Sequence, residues 1–197
     1  MSVVILSGPT CSGKTSVEKA LHRRGFAKVV SHTTRQPRAG EVDGQHYHFV
    51  TRRQFENLMI CHAFVETVEF GGARYGKTSE AFVSALGQSP NIATVLEPIG
   101  ARALRRHCVD QGIPVLRVWL DCAPDVQAQR FIQRIYSGDI TAMVASQRLC
   151  EMLSIEQDWR DELLTFDEPQ YGLVLSSTQR DSDRLASTIS EFLNPLL

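Results

Sequence analysis

The residues with the clearest chemical meaning lie near the start of the chain, in the segment Gly8–Thr15. Its sequence, Gly-Pro-Thr-Cys-Ser-Gly-Lys-Thr, matches the pattern GxxxxGK[ST]. In that pattern, successive backbone N–H groups and the start of a helix face the phosphates of a nucleotide. Lys14 brings a positive charge to the β- and γ-phosphates, and the Thr15 hydroxyl is a ligand for Mg²⁺. The segment therefore predicts a nucleoside triphosphate site formed by Gly8, Pro9, Thr10, Cys11, Ser12, Gly13, Lys14 and Thr15.

A second segment with chemical potential runs from Ser31 to Tyr47. Two arginines, Arg35 and Arg38, stand three residues apart around the rigid Pro37. Because a guanidinium binds a phosphate through two parallel N–H groups, this spacing favours a clamp for a second phosphate. The alternative interpretation is a solvated basic loop.

A phosphate-binding loop of the first kind needs a buried strand before it and a helix after it, and the sequence provides both. Strands are predicted at 3–7, 26–30, 91–96, 115–120 and 173–175, and helices at 14–24, 100–110, 124–134, 141–164 and 183–193. Short apolar strands that alternate with helices indicate a parallel sheet covered on both faces. The predicted fold class is α/β, a P-loop NTPase three-layer core with a parallel five-stranded sheet.

The length of 197 residues indicates a single domain with insertions. Residues 32–90 have a different character, rich in Gly, Thr and Arg, and are predicted to form an inserted subdomain between the core segments 1–31 and 91–197. A second irregular stretch around Gly138 separates two predicted helices and has arginines on either side. We expect a mobile lid at about 135–148.

Charge and cysteine content exclude several classes of protein. Lys plus Arg number 21 and Asp plus Glu number 22, and this near balance argues against a partner that is a nucleic acid polymer. The five cysteines include no CxxC pair, which favours reduced thiols. The longest aliphatic run, 3–6, is too short to span a bilayer, and no signal peptide is recognisable. We therefore expect a cytoplasmic protein without a membrane partner.

Taken together, the two phosphate segments resemble the guanylate kinase family of nucleoside monophosphate kinases. The resemblance is carried by the loop at 8–15, the TTRxPRxGE string at 33–41, and the shorter segments 49–50, 63–66 and 75–76, and it extends over residues 1 to about 150. It implies ATP-dependent phosphorylation of GMP and dGMP, Mg²⁺ as cofactor, an inserted domain that binds the monophosphate, and a monomer or homodimer.

The resemblance also implies roles for individual residues. The acceptor nucleotide would be contacted by Ser31, Arg35, Arg38, Tyr47, Glu66, Tyr75, Lys77, Thr78 and Glu97. Within this set, Glu66 would read the guanine N1 and N2 donors, and Tyr75 would bind the acceptor phosphate. Lid arginines that close on the transferring phosphoryl group would be Arg130, Arg134 and Arg148, alongside the catalytic Lys14. For Arg130 and Arg134, an exposed helix face is the alternative interpretation.

The chain departs from the family pattern at three places. Lys77 stands where the family usually has Thr or Ser, and Val95-Leu96-Glu97 retains only the second carboxylate of a D-x-D pair. Ser176 stands where an asparagine often contacts the donor adenine. Two alternatives follow: a nucleotide kinase with an altered acceptor base, and a non-catalytic binding module, which the intact Lys14 disfavours.

Overall fold

Strand β1 (Ser2–Ser7) forms the centre of the fold, with its side chains from Val3 to Leu6 fully buried. The computed structural model of the chain describes residues 1–38, 40–70, 72–138, 145–146, 149–150, 172–179 and 181–193. In it, β1 pairs in parallel with β6 (Asn91–Val95) on one side and β7 (Val115–Asp121) on the other, and β8 (Leu173–Ser176) extends the sheet beyond β7. A strand with sheet neighbours on both edges and helices on both faces has to be apolar throughout, as β1 is.

Helices cover both faces of this sheet and create two apolar cores. The helices are α1 (Lys14–Arg23), α4 (Pro98–Asp110), α5 (Pro124–Tyr136) and α6 (Ser182–Leu193). Alternate residues of β1 enter opposite cores, Val4 and Leu6 with α1 and α6, and Val3 and Ile5 with α4. The predicted α/β fold with a parallel, doubly covered sheet is confirmed.

The structure modifies some of the predicted elements. The segment predicted as a strand at 26–30 joins the sheet at one position only, a parallel bridge from Ala27 to Ile92, because the chain then leaves the sheet edge for a second sheet. Helix α4 begins at Pro98, two residues earlier than predicted, since the fixed φ of proline suits a first helical position. The helix predicted at 141–164 lies largely outside the described residues. None of the helices in the described part of the chain has the length and apolar character needed to cross a bilayer.

Residues 32–78 build the second sheet. It contains β2 (His32–Thr33), β3 (His48–Phe49), β4 (Phe64–Phe70) and β5 (Ala73–Thr78), in the order β3-β2-β5-β4. Two helices accompany it. Helix α2 (Arg52–Ile60) begins with a capping box between Thr51 and Gln54, and α3 (Ser79–Gln88) is capped by Thr78. Strands β4 and β5 of this sheet and the loop between β2 and β3 carry most of the second group of predicted site residues.

Candidate nucleotide site

One cleft of about 1110 Å³ brings together most of the residues selected from the sequence. Its lining includes Gly8, Thr10, Cys11, Ser12, Gly13, Lys14 and Thr15 from the loop after β1, Ser31, Arg35, Arg38, Tyr47, Glu66, Tyr75, Lys77 and Glu97 from the second group, and Arg130 and Arg134 from α5. Pro9 and Thr78 do not line it, and Arg148 lies outside the described residues. The two predicted phosphate sites therefore share one cavity.

The loop after β1 has a backbone path that requires glycine at its first position. Gly8 has a φ of +148°, and a Cβ there would lie 2.4 Å from the carbonyl oxygen of Leu120 in β7. Gly13 has a φ of +87° and begins α1, and no side chain in the described part of the chain caps that helix. The first-turn N–H groups of α1, which have no acceptor within the helix, thus start at the cleft wall.

Two side chains of this loop suit an anion. The Lys14 ammonium donates to the carbonyl oxygens of Gly8 at 2.8 Å and Pro9 at 2.6 Å. These hydrogen bonds fix the position of the ammonium group next to the loop backbone. The Ser12 hydroxyl is fully buried and has no hydrogen-bond partner among the described residues. An uncapped helix start, an ammonium and an unsatisfied hydroxyl are features that favour a phosphate.

Helix α5 places two arginines in the cleft wall. Arg130 is partly buried and donates to the carbonyl oxygen of Cys11 at 3.3 Å and to that of Ser177 at 2.9 Å. Arg134, one turn later, also lines the cleft. Both residues are partly buried and line the cleft, which favours the interpretation as lid arginines over that of an exposed helix face.

The acceptor-side arginine Arg35 is held by a carboxylate to which the sequence analysis gave no role. Both oxygens of Glu41 accept from Arg35, each at 2.9 Å, and this hydrogen bond lowers the pKa of Glu41 to about 2. Arg35 also lies 5.3 Å from the ring centre of Tyr47, a cation–π distance. Glu41 is the last residue of the TTRxPRxGE string, so the sequence already placed a carboxylate next to the two arginines.

The remaining polar groups of this wall are ordered around the same loop. The backbone N–H of Arg38 donates to Glu41 at 2.7 Å, while the residue itself is exposed. The rings of Tyr47 and Tyr75 meet edge to face at 5.9 Å, and burial, followed by Tyr75, raises the pKa of the Tyr47 phenol. The Tyr47 phenol is thus a neutral donor near neutral pH, which suits phosphate binding.

Glu66 and Lys77 form a buried ion pair further along the cleft wall. The Lys77 Nζ lies 3.4 Å from the Glu66 Oε1, and the side chains are 6% and 2% exposed respectively. The other oxygen, Oε2, has no hydrogen-bond partner among the residues described. Helix α4 approaches it closely, because a Cβ on Gly100 would lie 3.1 Å from that oxygen. Gly100 is a second residue that the sequence analysis did not single out.

The last two predicted acceptor residues have different surroundings. Glu97 lines the cleft at the N-cap of α4. Thr78 is buried and accepts a hydrogen bond from the backbone N–H of Ala81 at 3.2 Å, so its hydroxyl caps α3. Thr78 is therefore a helix cap and does not line the cleft.

Comparison with known proteins agrees with this geometry. The family model described as "Guanylate kinase" matches residues 1–109. The guanylate kinase of Chlorobaculum tepidum is 32% identical over 97% of this chain and 93% of its own length. That of a Synechococcus species is 37% identical over 53% of this chain, and the match spans only 58% of that relative's length. The crystal structure of the guanylate kinase from Anaplasma phagocytophilum superimposes with a TM-score of 0.69 at 21% identity, over 99% of this chain and 85% of that one, and supports the fold. The chain belongs to the guanylate kinase family.

Proposed function

We propose that this chain transfers the γ-phosphoryl group of ATP to the phosphate of GMP or dGMP, giving ADP and the corresponding diphosphate. The observation that carries this proposal is the shared cleft, which is lined both by the loop at 8–15 and by a second wall that contains Arg35, Arg38 and Tyr75. A protein that only hydrolysed ATP would have no use for the second wall.

The chemistry needs placement and charge more than a general base. The acceptor is a phosphate monoester whose second pKa lies near 6, so it is already a nucleophile at neutral pH. One of its oxygens attacks the γ-phosphorus in line, the bond to the bridging oxygen breaks, and ADP leaves with that electron pair. Lys14 and the arginines Arg130 and Arg134 neutralise the charge on the transferred group as it moves.

Magnesium fits the donor chemistry at the start of α1. Thr15 brings a hydroxyl oxygen to the cleft wall directly after Lys14, and a hard oxygen donor is what Mg²⁺ prefers. Thr15 would hold the ion, and the remaining positions suit phosphate oxygens and water. When bound, Mg²⁺ adds positive charge against the β- and γ-phosphates.

On the acceptor side, each group has a distinct task. Arg38 and Tyr75 bind the acceptor phosphate, and Arg35 is set in place by Glu41 for the same purpose. Glu66 accepts hydrogen bonds from the guanine N1 and N2 donors. Arg148, assigned by resemblance, and much of the predicted lid at about 135–148 lie outside the described residues and stay predictions. In this proposal the inserted segment 32–90 binds the acceptor nucleotide. The donor nucleotide is bound by the core, residues 1–31 and 91–197.

An acceptor-panel assay tests this function directly. ADP formation is followed with GMP, dGMP, AMP and dAMP, and without an acceptor. The proposal expects ADP formation that depends on a guanine monophosphate, with little ADP formed in its absence. ADP formation that is the same with and without acceptor would contradict it, as would transfer to AMP that is as efficient as transfer to GMP.

A further inference from the structure

The buried pair Glu66–Lys77 lies where β4 and β5 face each other. The two residues are direct partners in the antiparallel ladder, so their side chains emerge next to each other, and both line the cleft. A β-bulge between Phe64 and Glu66 adjusts the register that makes them partners. For stability alone, a well-packed apolar pair serves as well as a buried ion pair. Its place on the cleft wall therefore indicates a role in recognition.

Three polar atoms of this pair lie next to one another in a row: Nζ of Lys77, then Oε1 and Oε2 of Glu66. The ammonium Nζ of Lys77 lies beside Oε1 of Glu66 at 3.4 Å, and Oε1 is bonded through the carboxyl carbon to Oε2. A lysine ammonium only donates hydrogen bonds, and a carboxylate only accepts them. The pair therefore offers a donor, an acceptor and an acceptor, in that order. The last acceptor, Oε2, is buried without a hydrogen-bond partner among the described residues, a state that a ligand donor would relieve.

This order is the complement of the Watson–Crick edge of guanine, which presents the O6 acceptor, the N1–H donor and the N2 amino donor in sequence. Adenine presents a 6-amino donor followed by the N1 acceptor, which reverses the first two positions. We propose that Lys77 is a specificity-determining residue that donates to the 6-oxo group of the acceptor base while it holds Glu66 for the N1 and N2 donors. This inference rests on the proposed function, since it requires a purine monophosphate in this cleft.

The ammonium of Lys77 distinguishes a 6-oxo from a 6-amino group more strongly than a hydroxyl at the same position would. A hydroxyl can rotate to donate to a 6-oxo group or to accept from a 6-amino group, and so it tolerates both. The ammonium has no lone pair, so a 6-amino group placed against Lys77 would confront a donor with a donor. Lys77 therefore discriminates at the 6-position, and Glu66 discriminates at N1 and at the 2-position.

Base analogues separate these two contributions. The dissociation constants of GMP, IMP and the 5′-monophosphate of 2,6-diaminopurine riboside are measured by titration calorimetry for the parent chain, Lys77→Met, Glu66→Gln and the control Lys19→Met. IMP lacks only the 2-amino group of GMP. The diaminopurine nucleotide replaces the 6-oxo group by an amino group and at the same time turns N1–H into an acceptor. The N1 mismatch with Glu66 is the same in the parent chain and in Lys77→Met, so the change in preference caused by that substitution reports the 6-position. Lys19 is exposed on α1 and does not line the cleft, so its variant is expected to behave like the parent.

We expect Lys77→Met to lower the preference for GMP over the diaminopurine nucleotide by about tenfold or more, because the unpaired 6-amino contact disappears. The preference for GMP over IMP should change by less than about twofold in that variant and should fall in Glu66→Gln. A parallel fall of both preferences in Lys77→Met would mean that Lys77 only supports Glu66, and would overturn the proposal. An unchanged 6-position preference would overturn it as well.

A folding control and a second variant complete the experiment. Circular dichroism checks that each variant folds, and Lys77→Gln replaces Lys77→Met if the latter does not. Its amide can donate or accept, so the same loss of 6-position preference is expected. Because the readout is equilibrium binding, the ratios decide the role of Lys77 even if the acceptor-panel assay finds no phosphoryl transfer, which would refute the proposed function separately.

Discussion

The guanidinium of Arg35 and the carboxylate of Glu41 meet in a two-pronged ion pair, with both N–O distances at 2.9 Å. The same carboxylate accepts from the backbone N–H of Arg38, so one acidic residue orders both arginines of the predicted phosphate clamp. Both side chains of the ion pair are 17% exposed, which shields the interaction from solvent more than a typical surface pair. The clamp is therefore formed before any acceptor is needed to organise it.

A pH dependence of stability follows from this pair. The pKa of Glu41 in the folded protein is about 2, below the ordinary 4.5, so its contribution is complete above pH 4.5 and is lost as the pH falls toward 2. We expect Glu41→Gln to lower the free energy of unfolding by about 1–2 kcal/mol at pH 7. Urea unfolding should show that this difference shrinks below pH 4.5. The exposed Glu191→Gln serves as control, and a difference that stays constant between pH 7 and pH 2.5 would contradict the assignment.

Replacement of Lys14 by alanine should nearly abolish turnover. It removes the ammonium that the loop holds over the carbonyl oxygens of Gly8 and Pro9, and with it the charge assigned to the migrating phosphoryl group. Steady-state kinetics and a thermal melt measure activity and fold together, with the exposed Lys19→Ala as the matched variant. If Lys14→Ala kept more than a tenth of kcat, a loss of less than about 1.4 kcal/mol, the role given to Lys14 would be wrong.

Replacement of Arg38 by alanine should change the KM for GMP but not the KM for ATP. Its guanidinium is exposed to the cleft and assigned to the acceptor phosphate alone, so the KM for GMP should rise by about tenfold or more. The KM for ATP should stay within about twofold. Kinetics with each substrate varied in turn measure both values, and the exposed Arg52→Ala on α2 controls for loss of positive charge. Equal weakening of both substrates would mean that the two sites have been misassigned.

Gly100→Ala tests how closely α4 is packed against the Glu66 carboxylate, which we propose binds the guanine base. An added Cβ would lie 3.1 Å from Oε2 of Glu66, which forces that oxygen to move by a few tenths of an ångström. We expect the KM for GMP to rise several-fold while the KM for ATP is unchanged. Gly87→Ala in α3 is the matched control, because its Cβ would meet nothing within 4 Å. That variant should gain about 0.5–1 kcal/mol of stability, measured by urea unfolding, without a change in either KM.

Predictability from the sequence differed sharply between the two halves of the site. The loop at 8–15 is local: its glycines and the strand and helix around it lie within one continuous segment, so residue types alone indicate its geometry. The partnership of Glu66 with Lys77 depends on strand register, and a bulge next to Glu66 changes that register in a way that residue alternation does not reveal. The strand predicted at 26–30 is reduced to the Ala27 bridge, because its apolar residues pack in the core without a sheet ladder.

The hydrogen bonds of Arg130 connect two loops of the cleft wall. Its guanidinium already bridges the Cys11 carbonyl of the phosphate loop and the Ser177 carbonyl after β8. A guanidinium has five N–H donors, so a phosphoryl group can accept a hydrogen bond from Arg130 while both of these hydrogen bonds remain. Binding of the donor nucleotide would then act, through this one side chain, on both the loop after β1 and the loop after β8 at the edge of the sheet.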